Sequence, residues 1–374
     1  MTKKVVVLGG GVGGLTAAHE LIERGFQVEV FERDALIGGK AASQDYEVPV
    51  TGGRLPLPGE HGFRFFPSFY RHVVDTMNRI PVDGGTVGER LKPSKQMALA
   101  DASGLFVFDR HPPQSIGDLL PLISTMSALY GRLNVGTLDL VRFADRMWNF
   151  AISCDARRRR DFEPMTFWEY AEADSYGPAL RKYIQSSKFM VAMNARVGNA
   201  VTIGTKAVQL FTDFFKNGVT HDAVLDGPTS KRWLEPWRAY LESKGVVFHT
   251  NKEVTELVPV PGGLTEVKFG SESVTADYYV LAVPLDRAIA LITDDVAAAD
   301  PAFPMMRKLV GCDSWMVGVQ LYLRKRLEIC QGHIAFPDSP WALTAVAQAQ
   351  FWEGDFASRY GDGSVEDVLS IDVS

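Results

Sequence analysis

Cysteine is scarce: the 374 residues contain three, Cys154, Cys312 and Cys330. An odd number at such wide spacing builds neither a disulfide framework nor a zinc site, and it points to a reducing compartment. No apolar run approaches the roughly 18 residues that a spanning helix needs. A basic excess is missing too. Against 45 Asp and Glu stand 39 Lys and Arg, a formal net charge of −6, which argues against a nucleic-acid partner. With 46% hydrophobic and 22% charged residues, the composition excludes disorder, collagen and coiled coil. At roughly 150 residues per unit, the length sets an expectation of two to three structural units. The N-terminus imitates a secretion signal, with Lys3 and Lys4 ahead of an apolar stretch that closes on Ala17 and Ala18. Five glycines interrupt what should be a continuous apolar helix, so the imitation fails. The expectation is a cytoplasmic protein, soluble or held at a membrane surface.

Glycine is abundant, and unevenly placed: 11 of 34 fall before residue 61. Val5 to Leu8 reads as a strand covered on both faces. It runs into Gly9-Gly10-Gly11-Val12-Gly13-Gly14, a G-x-G-x-x-G pattern on Gly9, Gly11 and Gly14. Leu15, Ala18, His19, Leu21 and Ile22 then recur at helical spacing, and Gly25 supplies the stop. Val28 to Phe31 makes a second strand, ending on Glu32. Gly9 permits the tight turn, Gly11 lets a pyrophosphate approach the backbone, and Gly14 lets the helix pack on the strand. The bare amides at the helix start, at Val12, Gly13 and Gly14, then hold the phosphates. Glu32 lies 18 residues past Gly14, where a carboxylate accepts bonds from ribose hydroxyls. A carboxylate there repels a 2′-phosphate, which disfavours NADP and leaves NAD and FAD open.

The next residues, Glu32-Arg33-Asp34-Ala35-Leu36-Ile37-Gly38-Gly39-Lys40, carry a second glycine pair and a basic residue behind the acid. This stretch resembles the extended FAD fingerprint of the flavin amine oxidase and phytoene desaturase superfamily. The resemblance implies that Gly38, Gly39 and Lys40 lie along the pyrophosphate and ribityl chain of FAD, with Arg33 near the adenosine. Gly59-Glu60-His61-Gly62-Phe63-Arg64-Phe65-Phe66 looks like the segment that carotenoid desaturases and hydroxysqualene dehydroxylases place beside the isoalloxazine ring. Gly62 would let backbone lie flat against the ring, and Phe63 with its neighbours would give an apolar wall. His61 is the proton-handling candidate of this stretch, although a single histidine so placed is more often a hydrogen-bonded structural residue. No catalytic dyad, nucleophile triad or metal-ligand cluster stands out.

Farther on, Met97–Ala100 and Leu105–Phe108 read as a hairpin. Ile116 to Leu133 forms an apolar helical stripe with Asp118 and Arg132 as its charged residues. Such a helix packs in a core, lines an apolar tunnel or touches lipid. Arg157 to Arg160 reads as a solvated basic loop that could also meet anionic headgroups. From Asp226 the pattern is a turn, a helix through Trp233, Trp237 and Leu241, a strand at Val246–His249, a meander and a buried strand at Tyr278–Val283. This order resembles the second FAD-domain segment of the same superfamily, in which the residue matching Val254 pairs its backbone with adenine. The superfamily normally continues to a last flavin-contacting segment that is not found before Ser374. Either the sequence is a fragment or the flavin site is open on one side.

The expected fold class is α/β: a discontinuous Rossmann-like, three-layer FAD-binding domain (1–60 and 226–290) interleaved with a mixed α+β substrate domain. Of the latter, 61–225 is expected to be largely helical and 291–374 to end inside a strand. The expected function is an FAD-dependent oxidoreductase that moves a hydride between flavin and an apolar isoprenoid or similar lipid. Two alternatives stand: an amine or protoporphyrinogen oxidase using oxygen, and a non-catalytic remnant. Oligomeric state is left open.

Overall fold

In the computed structural model the described residues are 2–109, 128, 131–132, 134–185, 193–213, 222–261, 263–300 and 302–373. The apolar stripe expected over 116–133 lies largely outside them. The chain opens with β1 (Lys4–Leu8), α1 (Val12–Glu23) and β2 (Gln27–Phe31). β1 is buried almost throughout, as its β-branched run requires. α1 ends where Gly25 adopts φ +83°, a conformation that terminates helices at little cost to glycine.

A four-stranded parallel sheet is built from Val247–His249, β2, β1 and Tyr278–Leu281, in that order. The segment after Ser230 thus returns to flank the N-terminal unit on both sides. On one face α1 packs with the helix Glu235–Ser243, burying Leu15, Trp233, Trp237 and Leu241. On the other lies the antiparallel meander Glu256–Val260, Gly263–Phe269 and Glu272–Val274, which buries Leu257, Val267 and Phe269 against Val6, Leu8 and Phe31. Helix, sheet and meander make three layers around two apolar seams.

A second sheet has six strands in the order Gly104–Asp109, Gln96–Asp101, Gly332–Ala335, Thr344–Ala347, Asp367–Val373 and Val317–Leu323. Its first two strands are the expected hairpin, with Leu105 opposite Ala100. The stretch 61–225 is therefore not uniformly helical. Short strands lie between Phe65 and Asp109 beside the helix Arg71–Asn78, and the described helices between Thr137 and Asp213 enclose a separate aromatic core around Phe150, Phe162 and Tyr170. The basic run also departs from the expected loop. Arg157 to Arg160 forms helical turns, and Arg158 turns inward to donate to Phe150 O and Ala151 O, both at 3.1 Å. A guanidinium there donates to carbonyls in the last turn of the helix Thr137–Ala151, where a positive charge also suits the helix dipole.

Candidate functional site

The glycine turn between β1 and α1 is closed on one side and open on the other. A Cβ on Gly14 would overlap the Gly9 carbonyl and stand 3.3 Å from Val7 Cγ1, so only glycine lets α1 sit this close to β1. At Gly11 the nearest atom to a Cβ is Gly39 Cα at 4.0 Å, and at Gly13 there is nothing within 4 Å. Gly11 is the helix N-cap, has no capping side chain, and is followed by no acidic residue in the first turn. The first amide bonded back along the helix is that of Leu15, to Gly11 O at 2.9 Å. Those of Val12, Gly13 and Gly14 precede it, at the positive end of the helix dipole. Gly38 closes the crevice by donating its N–H to Gly10 O at 2.8 Å, which brings the second glycine pair beside the first.

Glu32 is buried just past β2. Its Oε2 accepts from the Gly10 N–H at 2.7 Å and its Oε1 from the Asp34 N–H at 2.9 Å. Both bonds fix the carboxylate beside the glycine turn and leave lone pairs for further donors. Bare amides for a diphosphate, room where only glycines stand and a held carboxylate for a ribose together fit the ADP half of FAD.

The other expected contacts are distributed around this crevice. Arg33 is exposed and pairs with Asp34 at 3.2 Å. Lys40 is exposed at the 3-10 turn Gly39–Ala41, and its carbonyl accepts from Arg64 Nη2 at 2.6 Å. Val254 precedes the meander's first strand and packs on the Val6, Leu8 and Phe31 cluster. Its segment passes Glu32, whose carbonyl accepts from the Lys252 N–H at 2.8 Å.

A buried polar seam joins the crevice to the six-stranded sheet. Glu60 Oε1 accepts from Ser43 Oγ at 2.7 Å and from the Thr229 N–H at 2.8 Å. Ser43 and Ser230 each donate a backbone N–H to the other's hydroxyl at 2.8 Å. The Glu60 N–H donates to Gln320 Oε1 at 2.8 Å, and Gln320 Nε2 donates to Ser370 Oγ at 2.9 Å. Among the buried atoms without a hydrogen-bond partner in the described residues are Glu60 Oε2, Arg64 Nε and Gln348 Oε1. Their side chains line one cavity, with Phe351 and Trp352 on its apolar wall. Burial raises the Glu60 carboxyl above the usual carboxylate range, against the Thr229 amide, the Ser43 hydroxyl and the Arg64 charge.

Next to Glu60, Gly62 adopts φ +128° and lies so close to the sheet that a Cβ would overlap the Asp372 carboxylate. Burial pushes the Asp372 carboxyl up to about 7, with Arg64 opposing. Phe63 is buried, its ring centroid 6.4 Å from that of Phe65 and 5.5 Å from that of His333. His61 is exposed and lies 3.1 Å from Gln44 Nε2 through its own Nε2. Sequence reasoning singled out neither Glu60 nor Asp372 as a chemical group. The available signal was alternation: Val368, Ser370 and Asp372 share one face of a strand on which the first two are fully buried. Among the described residues no group of three or more His, Cys, Asp or Glu is placed to hold a metal.

Residues 12–324 match the family described as flavin containing amine oxidoreductase. The chain belongs to that family. Its cofactor is a flavin, and the ADP-binding geometry of the crevice fits FAD. A flavin-dependent L-tryptophan oxidase of Lentzea aerocolonigenes is 40% identical over 78 residues, 21% of this chain and 16% of that protein. A zeta-carotene desaturase of Synechocystis sp. is 22% identical over 306 residues, 75% of this chain and 57% of that protein. The chain thus spans less than two thirds of either relative. Among solved structures, an oxidoreductase from Methanosarcina mazei superposes with a TM-score of 0.66 at 14% identity, covering 99% of this chain and 79% of the other. A putrescine oxidase superposes with a TM-score of 0.63 at 15% identity, covering 100% and 76%. These likenesses establish the α/β flavoprotein fold with its Rossmann-like sheet.

Proposed function

We propose that this flavin oxidoreductase family member transfers a hydride between FAD and a long apolar substrate of isoprenoid type. The observation that carries this is the aromatic packing near Gly62: Phe63, Phe351 and Trp352 are buried and Phe65 half-buried, forming an apolar wall beside Glu60, Arg64 and Gln348. Such a wall positions hydrocarbon and excludes water, which is what hydride transfer asks of the protein. Similarity to a zeta-carotene desaturase supports the same choice. FAD supplies the electron chemistry when bound. The amides of Val12 to Gly14 and the Glu32 carboxylate hold its ADP half, with Gly38, Gly39 and Lys40 along the chain beyond.

The domain division at 1–60 with 226–290, and 61–225 with 291–374, follows the two sheets and belongs to the same proposal. A membrane surface is the natural source of such a substrate. In the helix Thr137–Ala151 and its cap, Leu138, Val141, Trp148 and Ile152 are 60–72% exposed and recur on one face. Among the described residues no helix is long and apolar enough to cross a membrane, so contact there would be peripheral. The test is purification with FAD, followed by anaerobic incubation with zeta-carotene in detergent. Loss of the oxidised-flavin absorbance with a more conjugated product supports the proposal. Bleaching by primary amines instead would favour an amine oxidase, and a protein that folds but retains no flavin would favour a non-catalytic remnant.

A further inference from the structure

Glu60, Arg64 and Gln348 line one cavity, and the polar atom that each leaves without a partner differs in kind. Glu60 and Gln348 are 8% and 9% exposed, and their orphaned atoms, Glu60 Oε2 and Gln348 Oε1, are acceptors. Arg64 Nε is a donor. Each residue is tied in place by its other bonds. Glu60 Oε1 is held by Ser43 Oγ and the Thr229 N–H. Arg64 donates from Nη1 to Gly62 O at 3.1 Å and from Nη2 to Lys40 O at 2.6 Å. The Gln348 N–H donates to Val368 O at 2.8 Å, and its carbonyl accepts from the Phe351 N–H at 2.9 Å. Residues fixed in this way cannot turn to solvent for a partner, and three unpaired polar atoms against Phe351 and Trp352 would be costly.

We infer that Glu60, Arg64 and Gln348 bind one internal water, and that this water holds Arg64 in the pose from which it fixes the turn at Lys40. The cavity measures about 10 Å³, close to the space that one water requires. A volume so small keeps its lining within reach of a single molecule. The donor count selects water among molecules of that size. Water donates twice and also accepts, which matches two acceptors and one donor. An ammonium ion could not accept from Arg64 Nε, and a simple anion could not donate to Glu60 or Gln348. Water also serves Glu60 in either charge state, accepting from a protonated Oε2 or donating to an ionised one. Bonded at Nε, the planar guanidinium keeps Nη2 aimed at the Lys40 carbonyl, in the 3-10 turn Gly39–Ala41. The proposed function lays the chain of FAD along this turn, and only the effect on cofactor binding rests on that reading. One bonded water differs from bulk solvent, which the aromatic wall still excludes.

The test is a crystal structure of the protein as purified, at a resolution that shows ordered water, with Gln348→Met as the paired variant. Methionine is close to glutamine in length and removes the acceptor. The expected wild-type result is one density peak within about 2.7–3.2 Å of Glu60 Oε2, Arg64 Nε and Gln348 Oε1. A cavity without density, or the three atoms bonded directly to one another, overturns the water site. In Gln348→Met the peak should vanish and Arg64 Nη2 should leave Lys40 O. A peak retained there removes Gln348 from the site, and a lost peak with the Lys40 bond intact overturns the positioning role. Melting temperature gives a second reading. A water-bonded Oε1 makes the variant melt lower, by roughly 2 °C, whereas an orphaned Oε1 makes methionine neutral or stabilising. The variant should also bind FAD about tenfold more weakly, the scale of one hydrogen bond to a charged group; equal affinity overturns the link to the cofactor. A wild-type protein that binds no flavin would count against the proposed function and leave the water site standing.

Discussion

Replacing Gly11 by Ala separates folding from cofactor binding more cleanly than any other change at the glycine turn. Gly11 has φ −73° and ψ 179°, a conformation open to any residue, and its nearest neighbour to a Cβ is 4.0 Å away. Alanine should therefore fold normally, losing about 0.5–1 kcal/mol as a poorer helix cap. The new methyl would occupy the space assigned to the diphosphate. Displacing that anion by enough to break two charge-assisted bonds to helix amides costs about 3 kcal/mol, or about 100-fold in affinity at 1.4 kcal/mol per decade. Gly14→Ala is the contrasting control, because its Cβ would collide with the Gly9 carbonyl. That variant should lose about 3 kcal/mol or more in stability. Thermal unfolding of the flavin-free proteins and titration with FAD followed by flavin fluorescence give both quantities. A Gly11→Ala protein with undiminished FAD affinity would refute the phosphate assignment.

Three further outcomes follow from the same geometry. Glu32→Ala should cost about 1–3 kcal/mol even without ligand, since the buried Gly10 N–H loses its acceptor; chemical denaturation measures this, and Glu32→Gln, which retains an acceptor, should recover part of it. His61→Ala should leave FAD bound, since the ring is exposed and contacts Gln44; loss of flavin from that variant would place His61 at the cofactor. His19 is fully buried, accepting from Trp237 Nε1 at 2.9 Å on Nδ1, with Nε2 3.0 Å from Glu23. Burial lowers its pKa below the ordinary 6.5, so the unfolded chain binds the proton more readily than the folded one. Its contribution is full above the unfolded value, and stability should fall as pH drops from about 6.5 toward 5. His19→Gln should flatten that slope in melting temperature.

Much of the fold was legible because its signals are local. The β1–α1–β2 unit announces itself through a β-branched run, glycines at fixed offsets and helical periodicity, and Glu32 falls where that unit ends. The hairpin at Gln96–Asp109 and the strand Tyr278–Leu281 were legible for the same reason. The polar seam was not. Glu60 and Ser370 lie far apart in the sequence and are linked only because Asp367–Val373 pairs with Val317–Leu323, which carries Gln320 to the Glu60 amide. Nothing in the sequence near Arg157–Arg160 tells which of four arginines turns inward. The carbonyls that Arg158 satisfies belong to a preceding helix end, so its role is set by tertiary placement.

A crystal structure of the protein grown with FAD tests the central claim most directly. Its diphosphate should lie on the amides of Val12 and Gly13, with the adenosine ribose on Glu32. Flavin bound elsewhere, or a crevice closed by the protein's own side chains in the presence of saturating FAD, would contradict it.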